Sequence, residues 1–113
     1  MNFIESIKTC YKKFFDFSGR ASKSEYWWFQ LYAIIIYGLL FVFQGDLVLV
    51  FSILAIANTI PLYASAVRRL HDTDKSGWWV LISAVPILGF VVIFFLISDG
   101  SKGKNRFGPK PKK

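Results

Sequence analysis

Apolar and polar positions alternate along this chain in blocks rather than residue by residue. Trp27–Phe43, Leu47–Val67 and Trp78–Ile97 contain no charged residue. About twenty apolar residues make one helical crossing of a bilayer, and a soluble domain of 113 residues cannot hide three such runs. The pattern predicts an all-α integral membrane helical bundle, a single membrane domain over residues 1–113. Its parts are an amphipathic interfacial helix at 2–16, membrane segments at 27–43, 47–67 and 78–97, and a basic tail at 98–113. The first two membrane segments read as transmembrane helices. The third is broken by Pro86 and Gly89.

In the amphipathic stretch Phe3, Ile4, Ile7, Tyr11, Phe14 and Phe15 recur at helical spacing, with Cys10 on the same face. Glu5, Lys8, Lys12 and Asp16 lie mostly opposite. An aromatic stripe flanked by lysines suits a helix in the membrane interface, or one packed on the polar ends of the other helices. Ser18-Gly19 breaks it, and Ser22-Lys23-Ser24-Glu25 reads as a capping box. In such a box the Ser22 hydroxyl accepts from the Glu25 amide, while the Glu25 carboxylate reaches back to the Ser22 amide. Tyr26-Trp27-Trp28 then belongs at headgroup level.

Gln44-Gly45-Asp46 is long enough for a turn between antiparallel helices. It carries no Lys or Arg, which assigns it to the translocated side and the amino terminus to the cytoplasm. In the second run Ser52, Ala55, Thr59 and Ala66 form a small-residue stripe that admits a close neighbour. The Asn58 amide needs an interhelical partner, and Pro61 predicts a kink.

The third run has two solutions. A single kinked crossing puts Lys102, Lys104, Arg106, Lys110, Lys112 and Lys113 outside, against eight basic residues inside. A re-entrant hairpin turning at Pro86–Gly89 gathers all fourteen on the cytoplasmic side, as the positive-inside rule prefers. The charge count favours the hairpin. Its arms would be eight or nine residues each, with the turn buried against Asn58 and the second helix.

Fourteen Lys or Arg against seven acids give a net charge of +7, all of it in the flanks. Basic flanks face the anionic cytoplasmic leaflet. Nucleic-acid binding is the weaker reading of that charge, because no soluble domain remains to carry it. A lone Cys10 excludes a disulfide-stapled domain, and no cleavable signal peptide is recognisable.

Three segments occur in order between the apolar runs: Phe17-Ser-Gly-Arg-Ala-Ser-Lys-Ser-Glu-Tyr-Trp-Trp28, Arg68-Arg-Leu-His-Asp-Thr-Asp-Lys-Ser-Gly-Trp-Trp79, and Gly103-Lys-Asn-Arg-Phe-Gly-Pro109. Together they resemble the domain of unknown function 805 family of small bacterial inner-membrane proteins. The resemblance covers nearly the whole chain. One departure is Lys110, where the family often has an acid. The resemblance implies fold and location and no established activity.

All four arginines, Arg20, Arg68, Arg69 and Arg106, fall in these motifs. Arginine offers a planar fork that grips carboxylate or phosphate at two points. With Glu25, His71, Asp72, Asp74 and Asn105 they make a candidate polar cap. It is either a structural network tying helix ends or an anion site for a lipid headgroup or phosphorylated ligand. His71-Asp72 invites an acid–base or metal reading, but adjacent helical residues do not face each other. No second His exists, and no Cys lies near. The serines read as caps and turns. No catalytic residue, metal or cofactor is expected.

The sequence therefore reads as a non-enzymatic inner-membrane protein that acts by binding. Expected partners are the bilayer with its anionic headgroups, further copies of the chain, or other membrane proteins. An oligomeric transport or channel subunit is the alternative, although Asn58, Thr59 and Ser83 are too few to line a pore in one chain and the runs lack ionisable residues. An enzyme acting on a lipid-linked phosphate ranks third.

Overall fold

The computed structural model describes residues 2–43, 45, 47–83 and 85–111. Among the described residues five helices follow one another: α1 (Phe3–Lys12), α2 (Lys23–Val42), α3 (Val48–Asp72), α4 (Trp79–Ile82) and α5 (Leu88–Ile97). Among the described residues there is no strand, only an isolated bridge between Asn105 and Gly108. The all-α expectation holds.

α2 and α3 are long and apolar enough to cross a membrane, and in each only 28% of the most apolar window is buried inside the protein. A core helix of a soluble protein would bury far more. At 1.5 Å per residue they measure about 30 and 37 Å. Leu31, Ile34, Phe41, Leu49 and Ile56 all point outward. Of the expected turn at Gln44-Gly45-Asp46, Gln44 and Asp46 lie outside the described residues. Ala55 and Ala66 of the small-residue stripe are buried, as close packing requires. α3 continues through a buried Pro61 without interruption.

α1 ends at Lys12, four residues short of the expected boundary, because the chain turns at Lys13–Phe15. Phe3 and Tyr11 both meet the Tyr32 ring, at 6.4 and 5.9 Å. Two residues eight positions apart on α1 reach one residue of α2, so α1 lies across α2 rather than along it. The Tyr11 hydroxyl donates to Asn58 Oδ1 at 2.8 Å. The buried amide of α3 is thus answered by α1, although its Nδ2 has no partner.

The third apolar run folds back on itself. It sets out from Gly77, packed against Val67 and His71 of α3, and α4 lasts only to Ile82. α5 then returns to Leu96, whose carbonyl accepts from Trp27 Nε1 and Arg69 Nε, each at 3.0 Å. Both ends of the run lie where α2 begins and α3 finishes. This is the hairpin, with two corrections. The arms are four and ten residues instead of eight or nine each. The turn is not buried against Asn58: Val85, Pro86, Ile87 and Leu88 are exposed. The turn closes part of its backbone bonding locally, Gly89 N to Val85 O at 2.7 Å and Val85 N to Ile82 O at 3.0 Å. That lowers its need for cover. Glycine at 89 is required sterically, since a Cβ would stand 2.8 Å from the Ser83 carbonyl oxygen.

The tightest packing gathers near the same end. Tyr26, Ala66, Leu70, Val92 and Leu96 form a buried cluster, with Trp27, Trp79, Val80, Ile82 and Phe95 against it. It joins α2, α3 and the returning hairpin.

Candidate functional site: a buried arginine cap

The last two turns of α3 carry Arg68, Arg69 and Asp72, and the first turn of α2 carries Glu25. The antiparallel packing of the two helices sets these turns side by side. Ser22 caps α2 by accepting from the Glu25 amide at 3.2 Å. Half of the expected capping box is therefore present. The Glu25 carboxylate does not reach back to Ser22; it pairs with Arg68 Nη1. A full positive charge in a buried site attracts it more strongly than a neutral amide does.

Arg68 and Arg69 are fully buried, and Arg20, Glu25 and Asp72 nearly so. Removing a guanidinium from water costs several kcal/mol unless its donors are met. Arg20 meets that demand completely. Its Nε and Nη2 reach Asp72 Oδ1 at 3.0 and 2.9 Å. Its Nη1 donates to the Gly103 and Gly108 carbonyls at 2.7 and 3.0 Å, and Nη2 to Ser101 at 2.8 Å. Arg69 pairs with Asp72 and donates to the carbonyls of Leu96 at 3.0 Å, Ala21 at 3.2 Å, and Ser98. Asp72 is thus clamped between two arginines, and the carbonyls come from three chain segments. Arg68 donates Nε to the Asp16 carbonyl at 3.1 Å, while its Nη2 is buried without a partner.

His71 and the residues after α5 complete the cap. His71 Nδ1 lies 2.9 Å from the Gly19 carbonyl and donates to it, since a carbonyl only accepts. The Phe107 ring stacks on the imidazole at 3.8 Å, with the planes 2° apart. Asn105 Nδ2 donates to the His71 carbonyl at 2.9 Å. Gly108 has φ +124°, a conformation suited to glycine, and closes a tight turn with Asn105. That turn presents the Gly108 carbonyl to Arg20. Arg106 and Asp74 pair at 3.3 Å on the rim, 60% and 50% exposed, where such a pair is worth about 0–1 kcal/mol. Arg106 also covers the Phe107 ring.

Seven of the nine sequence candidates, Arg20, Glu25, Arg68, Arg69, His71, Asp72 and Asn105, therefore meet in the buried cap. Arg106 and Asp74 sit at its edge. Sequence reasoning missed the groups beneath Glu25, whose backbone carbonyl accepts from Ser6 Oγ and lies 3.8 Å from Cys10 Sγ. Burial, and then the nearby Glu25 charge, push the Cys10 thiol up to about 12. Asp16 stays below the usual carboxylate range, chiefly because it accepts from the Ser18 N–H. Gly100 was also missed. It touches the Asp72 carboxylate so closely that a Cβ would lie 1.9 Å from Oδ2.

Beside the cap lies a cavity of about 370 Å³, walled by the start of α2, Asp72, Asp99–Gly100, Lys102, Lys110 and Pro111. Among the described residues no cluster of three or more His, Cys, Asp or Glu is placed to hold a metal ion. The buried arginines hold loops and helix ends together and turn almost all of their donors inward.

Residues 14–109 match the family described as "Protein of unknown function (DUF805)". "Inner membrane protein YhaI" of Escherichia coli (strain K12) is 42% identical over 106 residues, covering 89% of this chain and 90% of the relative. "Inner membrane protein YhaH" of the same strain is 40% identical over 113 aligned positions, covering 89% of this chain and 91% of the relative. No solved structure matches the chain.

Proposed function

Because the chain belongs to the DUF805 family of proteins of unknown function, we propose that it is a non-enzymatic inner-membrane protein that acts by binding, with acidic lipid headgroups, further copies of itself or other membrane proteins as partners. The observation that carries this reading is the internal commitment of the buried charges. Arg20 and Arg69 spend their donors on Asp72 and backbone carbonyls, and Arg68 holds Glu25. Such a cap is a rigid platform rather than a reactive cluster. What the molecule offers outward is lysine at one end and apolar side chains along α2, α3 and α5. Lipid or another helix covers the second kind of surface.

In this reading α1, the cap and the residues after α5 face the cytoplasm, and the turn around Gly45 is translocated. Basic residues crowd the cap end, and none lies between Phe43 and Val67. Gly45→Cys in a Cys10→Ala background tests the orientation. An impermeant thiol reagent should label it in intact cells, and labelling only after lysis reverses the assignment. A carboxyl-terminal reporter should be active only in the cytoplasm. Binding is tested by native mass spectrometry of the protein released from mild detergent, where retained acidic lipid, a second copy or a partner is expected. Ion or solute flux in liposomes, or turnover of a lipid phosphate lost with His71→Ala, would replace binding as the activity.

A further inference from the structure

We infer that the cavity beside the arginine cap is a binding site for a phosphate-bearing anion, held by Lys102 and Lys110 with Lys23 at its rim. The inference rests on the acidic-lipid part of the reading above and narrows it to one place.

The charges around the cavity do not balance. Asp72 is already matched by Arg20 and Arg69, and Asp99 is paired with Lys23. Lys102 and Lys110 also line it, both exposed, and among the described residues neither has an ion-pair partner. Two unmatched ammonium groups, both from the segment after α5 and on one cavity, favour a ligand with negative charge spread over several oxygens. The volume, about 370 Å³, is in the range of small-ligand sites. Ser22, Lys23 and Ser24 form the near wall at the start of a 20-residue helix, where the dipole favours an anion.

Position narrows the ligand class. Trp27, one turn further along α2, bonds the Leu96 carbonyl beside the cap. A Trp at this level marks the bilayer interface, so the cavity lies at headgroup height. The cap holds its shape without the anion, because Arg20 and Arg69, the arginines paired with Asp72, are satisfied internally. The lysines are therefore free to bind and release.

The test uses the full chain in detergent and in nanodiscs. Lys102→Gln/Lys110→Gln is compared with Lys8→Gln/Lys12→Gln, which removes the same charge from α1. Phosphatidylglycerol retention is read by native mass spectrometry, and melting is followed with added phosphatidylglycerol, glycerol phosphate or inorganic phosphate. A hydrogen bond to a charged group is worth about tenfold or more in affinity, so the cavity pair should lose about a hundredfold, beyond the loss of bulk charge that both pairs share. The α1 pair should lose far less. Melting in phosphatidylcholine alone should be unchanged in both, which shows that the variants fold. Lysine-dependent stabilisation by free phosphate or glycerol phosphate would identify a soluble ligand; stabilisation by phosphatidylglycerol alone would identify a lipid headgroup. Equal losses from the two pairs would overturn the site and leave only bulk charge, with the acidic-lipid reading intact. A wild-type protein indifferent to every phosphate-bearing probe would overturn both.

Discussion

Replacing Gly100 by alanine forces a choice on the arginine cap. The new methyl carbon would stand 1.9 Å from Asp72 Oδ2 and 2.4 Å from Cγ. Neither distance is sustainable, so the carboxylate or the backbone at residue 100 must move. Moving the carboxylate breaks buried pairs with Arg20 and Arg69, and breaking one such pair costs about 3–5 kcal/mol. Moving the backbone instead pulls away the Ser101 N–H bonded to the Asp72 carbonyl at 2.7 Å and the Ser101 carbonyl bonded to Arg20. Those two bonds are worth about 1 and 1.5–3 kcal/mol. By either route the loss is about 3 kcal/mol or more. At about 4 °C per kcal/mol, melting in detergent should fall by about 10 °C or more. Gly103→Ala is the control. It lies three residues on, and nothing stands within 4 Å of its added Cβ. It should stay within about 0.5 kcal/mol of the parent. Equal melting of the two variants would refute the clamp around Asp72.

Arg68→Ala should destabilise by about 3–5 kcal/mol because it strands the buried Glu25 carboxylate; the double variant Arg68→Leu/Glu25→Leu should recover part of that loss, and no recovery in a thermal melt would show that the pair is not what Arg68 supports. Lys112→Ala and Lys113→Ala, which lie outside the described residues, should leave melting unchanged, and a loss equal to that of Arg68→Ala would mean that bulk charge governs stability. Cys10 is fully buried and its thiol is pushed up to about 12, so maleimide at pH 8 should label it only after denaturation; rapid labelling of the folded protein would show that α1 does not rest on α2 as described.

The long helices were legible because their signal is collective. Twenty uncharged residues in a row outweigh any local ambiguity, and α2 and α3 fall within a few residues of Trp27–Phe43 and Leu47–Val67. The family was legible from three ordered motifs, and the match over residues 14–109 bears it out. The hairpin was readable from charge placement and Pro86, but its unequal arms were not. Where α4 stops depends on the close approach of Gly89 to the Ser83 carbonyl, a tertiary contact. The meeting of Arg20, Arg68 and Arg69 was foreseeable from their motifs. Their main acceptors were not, since the carbonyls of Ser98, Ser101, Gly103 and Gly108 leave no mark in a sequence. Glu25 read as half of a capping box for the same reason: the sequence names its near neighbours, and Arg68 stands 43 positions away.

The bonds from Arg20 to Gly103 and Gly108 span 83 and 88 residues. A ribosome adds about 5–20 residues per second, so Arg20 is synthesised about 4–18 s before its last acceptors exist. In the last part of that interval Asp72, 52 residues after Arg20, is already made, but the carbonyls that complete the guanidinium's shell are not. A chain halted before Gly103 therefore carries a half-satisfied cation at the membrane surface, where a protease meets loosened backbone. Stalled chains ending at Ser101 should be cut near Arg20 faster than full-length chains, and equal cutting would contradict this order of events. Closure of the cap thus reports that translation has reached the final motif.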